Sequence, residues 1–225
     1  MEKEILIVKN KTHEGPGLLK EILEERGIGY QITDLDAGQN FPATEGYGSV
    51  VVLGGPDSAN DDTPKMKEEL ERIRETIDAK IPYLGICLGL QTLVKANGGS
   101  VVKNYIKEIG FRDPEGDNFR VELTENGRND PLFEDLDDAL TVFHLHGETV
   151  VLTEDMKLLA IGKFCKNQIA RVGLNAYGIQ CHFELTPEMF EEWIAKDPDL
   201  FAINQEELKA EFERLRTEYT RVGIK

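Results

Sequence analysis

Residues 81–93, I-P-Y-L-G-I-C-L-G-L-Q-T-L, constrain the fold of this chain more than any other stretch. A short apolar run (Tyr83, Leu84, Ile86) leads into Cys87, which stands between Gly85 and Gly89, and a helix-compatible segment follows over residues 90–96. This is the thiol form of the Gly-x-Ser-x-Gly turn that joins a strand to a helix. The apex of so sharp a turn sits on strained backbone, and residues two positions either side must lack a Cβ for the chain to fold back. Glycine at both positions meets that demand. The spacing predicts a thiol at a helix N-terminus, where free N–H groups and the helix dipole favour thiolate and can cradle an oxyanion. A buried structural cysteine is the competing reading, but it leaves the paired glycines without a reason.

The flanking sequence alternates strand and helix. Residues 4–8 read as a buried strand, 17–25 as a helix with Leu18, Leu19, Ile22 and Leu23 on one face, and Gly27 as its stop. Strands are predicted over 30–34 and 49–53, then a helix over 64–79 with Met66, Leu70, Ile73 and Ile77 at helical spacing. This order predicts a parallel sheet with right-handed crossovers. Sites in such sheets form at the carboxyl ends of the strands, so Gly54-Gly55-Pro56-Asp57 should lie beside Cys87. Glycine amides there could donate to an oxyanion together with the N–H of Leu88.

Beyond Gly98 the pattern changes. Short pieces at 101–102, 119–123 and 140–143 look antiparallel and peripheral, and 157–161, 168–172 and 177–183 read as further strands, the last ending in His182-Phe183-Glu184. From Pro187, two amphipathic helices (187–195 and 205–219) carry Met189, Phe190, Trp193, Leu208, Phe212, Leu215 and Tyr219, a pattern of core packing. No repeat or linker interrupts the chain. A length of 225 residues suits one domain over 1–225, with helices from 187 to 221 packed on it.

With 26 Lys+Arg against 42 Asp+Glu, the formal net charge of -16 repels phosphate backbones and anionic lipid, so neither nucleic acid nor membrane is an expected partner. The opening M-E-K-E-I-L-I-V runs straight into a strand, unlike a signal peptide, and the expected location is the cytoplasm. Three cysteines without Cys-x-x-Cys spacing suggest neither a disulfide framework nor a zinc knuckle.

A cysteine nucleophile needs a base and a group to orient that base. Of the four histidines, His13 falls in a polar loop, His144 and His146 flank Leu145, and His182 has an acid two residues on. In a strand, residues i and i+2 share a face, so His182 and Glu184 can meet Cys87 as a triad from the ends of two strands. Cys165, in F-C-K-N-Q, has no flanking glycine and reads as a small buried hydrophobe.

The motifs G-G-P (54–56), G-I-C-L-G-L-Q (85–91), K-E-I-G (107–110), H-G-E-T (146–149) and Q-C-H-F-E (180–184) resemble those of the class I, triad-type glutamine amidotransferases, most of all stand-alone forms similar to the amidotransferase domain of GMP synthase. The resemblance covers nearly the whole chain. It implies an α/β, flavodoxin-like, open and mostly parallel sheet with helices on both faces and a small peripheral antiparallel sheet. It also implies that Cys87 attacks the side-chain amide of L-glutamine, that His182 shuttles the proton to departing ammonia, and that Glu184 holds His182. By the same carry-over, the amides of Gly55 and Leu88 form the oxyanion hole, and Gln91 with the backbone around His146 and Gly147 holds the substrate. No cofactor and no metal are implied.

Two departures stand out: Phe183 and Glu148 replace the proline and aspartate that the family often has at these positions. No S-G-G-x-D-S or Gly-x-x-x-x-Gly-Lys phosphate loop occurs. The expected recipient of the ammonia is therefore a separate synthetase or ATP-pyrophosphatase subunit, or solvent. Three alternatives remain at this level: a γ-glutamyl peptidase or hydrolase with the same triad, a catalytically silent binding or regulatory subunit, and a metal-dependent protein using His144, His146, His182 and Glu184.

Overall fold

The computed structural model describes residues 3–224. Its first half follows the alternation expected from the sequence: β1 (Ile5–Lys9), α1 (Gly17–Glu25), β2 (Tyr30–Asp34), β3 (Ser49–Val52), α2 (Pro64–Asp78), β4 (Tyr83–Ile86) and α3 (Leu88–Ala96). Thr63 caps α2 by accepting the Met66 N–H, and Pro64 fills the first helical position, where a missing N–H costs nothing. Strand periodicity sorts the core onto two faces. Leu6, Val8, Val50 and Val52 pack with Met66, Ile73, Leu90 and Leu93 under α2 and α3, whereas Ile7, Val51 and Leu53 pack with Leu23 of α1 on the other side.

The second half adds β5 (Ser100–Gly110), β6 (Arg120–Leu123), α4 (Glu125–Arg128), β7 (Ala139–Thr141), β8 (His144–Val151), β9 (Lys157–Gly162), β10 (Ile169–Val172), β11 (Ala176–Ile179), α5 (Pro187–Lys196), α6 (Pro198–Phe201) and α7 (Gln205–Ile224). The main sheet runs β2-β1-β3-β4-β11-β10-β9-β6-β7. From β2 to β11 every pairing is parallel, and the strands beyond extend the sheet antiparallel. β11 lies directly beside β4, in register Ile179 to Ile86, and this delivers residues 180–184 to the carboxyl end of the cysteine strand.

β5 and β8 form the separate antiparallel ribbon. Its length was not legible: the pairing slips between Lys103 and Glu108, which breaks the alternation, and Tyr105 is 93% exposed. The strand expected over 177–183 ends at Ile179. Past that point the Gln180 N–H bonds to Gln168 O and the His182 N–H to Phe143 O, so His182 sits on an isolated bridge. The C-terminal helices pack as core, with Phe190 and Phe212 stacked at 4.2 Å. α7 runs to Ile224, past the expected end at 219. It also reaches the site, because the Tyr219 hydroxyl donates to His182 O at 2.7 Å. Among the described residues, no helix is long and apolar enough to cross a membrane.

Candidate active site

Cys87 caps α3 with φ 53° and ψ -104°, a conformation costly for a residue with a side chain. The flanking glycines permit it. A Cβ on Gly85 would stand 2.2 Å from Gly89 O, and one on Gly89 would stand 2.2 Å from Val52 O in β3. The thiol thus projects from the junction of β4 and α3 into a pocket of about 400 Å3, at the first N–H groups of a helix.

His182 and Glu184 meet at that pocket. His182 Nδ1 donates to Glu184 Oε1 at 2.7 Å, which fixes the tautomer and leaves Nε2 free of hydrogen-bond partners among the described residues. The Trp193 ring stands perpendicular to the imidazole, 4.9 Å between centroids, and limits its rotation. Burial by itself lowers the His182 pKa, but Glu184 and the Cys87 sulfur outweigh it and hold the imidazole well above its ordinary value. A proton on His182 beside the sulfur is the favoured arrangement.

Gln180, in the Q-C-H-F-E segment, has no role that the sequence points to, yet it contacts the sulfur. Glu148 O can only accept, so the Gln91 atom 3.5 Å from it is Nε2. That nitrogen also donates to Gln180 Oε1 at 3.2 Å, which turns Gln180 Nε2 to Cys87 Sγ at 3.5 Å. Gln180 is thereby a hydrogen-bond donor to the nucleophilic sulfur. Gln180→Leu is expected to slow alkylation of Cys87 by iodoacetamide about 10-fold near neutral pH. An unchanged rate, measured by mass spectrometry of the labelled peptide, would remove Gln180 from the site.

The other expected residues line the same pocket unevenly. Gly55, Gln91, His146 and Gly147 are all part of its wall, and Leu88 opens α3 immediately after the thiol. The His146 side chain is turned into a buried cluster: Nδ1 donates to Glu148 O at 3.0 Å and Nε2 lies 2.8 Å from Glu108 Oε2. The Glu148 carboxylate accepts from Ser58 Oγ at 2.8 Å. Lys107 and Asp199 pair at 2.7 Å across the pocket rim, joining β5 to α6.

The metal alternative required His144, His146, His182 and Glu184 together. The structure separates them into two groups: His182 is bonded to Glu184, while His144 and His146 bring their donor atoms within 4.8 Å of Glu108. The amide nitrogen of Gln168 faces that second group, 2.9 Å from Glu108 Oε2 and 3.5 Å from His144 Nε2. That amide nitrogen is a hydrogen-bond donor to Glu108 and His144. Burial, with His146 and His182 nearby, holds His144 well below the ordinary histidine pKa and hence neutral.

Comparison with known proteins shows the family. The family model for glutamine amidotransferase class-I matches residues 17–198. This chain belongs to that family. It is 32% identical to the glutamine amidotransferase-like protein YfeJ of Salmonella typhimurium over 190 residues, 82% of this chain and 77% of that protein. Against the glutamine-hydrolyzing GMP synthase of Borrelia garinii it is 31% identical over 150 residues, 66% of this chain but 26% of the synthase. The chain therefore spans about a quarter of such synthases. Among solved structures, a glutamine amidotransferase from Thermotoga maritima superposes with a TM-score of 0.87 at 27% identity, covering 100% of this chain and 96% of that one. One from Methylobacillus flagellatus gives 0.82 at 25%, covering 99% and 93%.

Proposed function

We propose that this class I amidotransferase hydrolyses the side-chain amide of L-glutamine to glutamate and ammonia through a γ-glutamyl thioester on Cys87. The observation that carries the reading is a glycine-flanked thiol at a helix N-terminus sharing one pocket with an imidazole that Glu184 orients at 2.7 Å. In this reading the Cys87 sulfur attacks the amide carbon, and the carbonyl oxygen takes the electron pair toward the amides of Gly55 and Leu88. The C–N bond then breaks, and the nitrogen leaves with the proton held on His182. Water, deprotonated by His182, attacks the thioester and releases glutamate. Gln91 and the backbone of His146 and Gly147 hold the substrate. The ammonia passes to a separate synthetase subunit, a role suggested by the likeness to GMP synthase, and the working place is the cytoplasm.

The test is ammonia release from glutamine measured beside amine release from a γ-glutamyl dipeptide, with labelling by a glutamine-analogue chloroketone. Glutamine should be preferred, and the label should fall on Cys87. Burial raises the Cys165 thiol to about 11 and pushes Cys181 well above the ordinary range, so neither competes as thiolate. Preference for the dipeptide would replace the glutaminase reading with a γ-glutamyl hydrolase. Label on Cys165 or Cys181, or none at all, would defeat both.

A further inference from the structure

The loop from β1 to α1 carries a carboxylate that the triad does not use. Glu14, Cys87 and His182 converge on one point, the position where Gly54 lacks a Cβ: Glu14 Oε2 lies 3.3 Å from it, Cys87 Cβ 3.4 Å and His182 Cε1 3.4 Å. Glu14 therefore shares the pocket wall at Gly54 with Cys87 and the Cε1 edge of the His182 imidazole. Five carboxylate residues line this pocket. Asp57 is paired with Lys65 and Asp199 with Lys107, Glu148 accepts from Ser58, and Asp197 caps α6 through the N–H groups of Asp199 and Leu200. Among the described residues, none donates a hydrogen bond to the Glu14 side chain.

The loop is built onto the site and is no loose connection. Leu18 N–H bonds to Glu184 O at 2.8 Å, so the start of α1 hangs on the backbone of the residue that orients His182. Gly17, at φ 44°, makes that contact possible, since a Cβ there would lie 1.9 Å from Glu184 O. Glu14 thus keeps a fixed place relative to His182 and Glu184.

We propose that Glu14 is a further catalytic residue, accepting an N–H of the departing nitrogen while His182 protonates it. This rests on the glutaminase reading. The oxyanion would point to Gly55 and Leu88 and the amide nitrogen toward His182, and Glu14 Oε2 and His182 Cε1 both lie within 3.4 Å of the same point at Gly54. As the S–C bond forms, the nitrogen takes the His182 proton and departs with the C–N electron pair. Glu14 exchanges no proton in this step. Its carboxylate stabilises the positive charge that builds on nitrogen, the counterpart of what the oxyanion hole does for oxygen. A leaving group without N–H gains nothing from it.

The charged groups around Glu14 give the step a pH signature. Burial raises its carboxyl to about 7, with His182 and Lys11 lowering it and Asp197 and Glu184 raising it. An ionised acceptor is the better one, so kcat/KM for glutamine should rise as pH climbs through about 7.

The test compares L-glutamine with L-glutamate γ-methyl ester in the full-length wild type and Glu14→Gln, using kcat/KM, which reports the steps through acylation. Loss of a hydrogen bond to a charged group predicts that the glutamine-to-ester ratio falls about 10- to 100-fold in Glu14→Gln, with loss of the limb near pH 7. Chloroketone labelling of Cys87 should proceed in the variant, because chloride needs no N–H acceptor. An unchanged ratio, or labelling that collapses with turnover, would overturn the role and make Glu14 a support for His182. Wild type that cleaves the ester but not glutamine would instead overturn the glutaminase reading, and this proposal with it.

Discussion

Cys87→Ser is expected to lower glutamine turnover by about five to six orders of magnitude, as loss of a nucleophile from a triad acting as a unit does elsewhere. Serine matches the shape of cysteine but holds its proton far more tightly, and His182 is poised for a thiol. His182→Ala should cost nearly as much, and the double variant little more, since each loss disables the same step. His146→Ala should cost far less, because its ring nitrogens serve Glu108 and the Glu148 carbonyl. Steady-state ammonia release, with circular dichroism to verify folding, reads all four variants. Equal losses for His146→Ala and His182→Ala would mean that the base is misassigned.

Gly89→Ala should produce a severe loss of stability. Its Cβ would stand 2.2 Å from Val52 O, the backbone of a parallel strand buried on both faces, and neither atom is a side-chain end that can swing away. Relief requires α3 to move off the sheet, breaking the packing of Leu90 and Leu93 against Val50 and Val52. A cost above about 4 kcal/mol places this among the rare severe substitutions, and the melting midpoint of a domain this size should fall by roughly 10 °C or more. Thermal unfolding followed by circular dichroism measures it. A midpoint within about 2 °C of wild type would show that the junction can relax and that the glycine spacing is not a steric requirement.

These two expectations differ in how far the sequence could see them. The elbow was legible because it is local: the side chains at 85, 87 and 89 must coexist within one turn, and hard-sphere contact decides which residues can. The parallel half was legible because apolar spacing reports which face each element buries. His182 and Glu184 were found by elimination and by their separation of two residues, although the strand that justified their shared face stops at Ile179. What unites them is a hydrogen bond at 2.7 Å in irregular chain, framed by Phe143 O, Tyr219 and Trp193.

Other parts of the site left no local mark. Gln180 is one polar residue among several until β11 settles beside β4 and Gln91 turns its amide. Glu14 lies 73 residues before Cys87 in sequence, and its only hint was its place after the first strand, on the edge of the sheet where sites form. A small antiparallel sheet was expected, but the extent of the β5–β8 ribbon was missed because its bulged register breaks the alternation on which strand reading depends.

By itself, the sequence determined the strained thiol at a helix N-terminus and the parallel sheet that holds it, since both follow from backbone sterics and apolar periodicity within short windows. Only the tertiary structure decided which polar groups surround that thiol. Strand order brings residues 180–184 beside Ile86, and the bond from Leu18 to Glu184 brings Glu14 with it. Such proximity between distant segments depends on chain path, which no local pattern encodes.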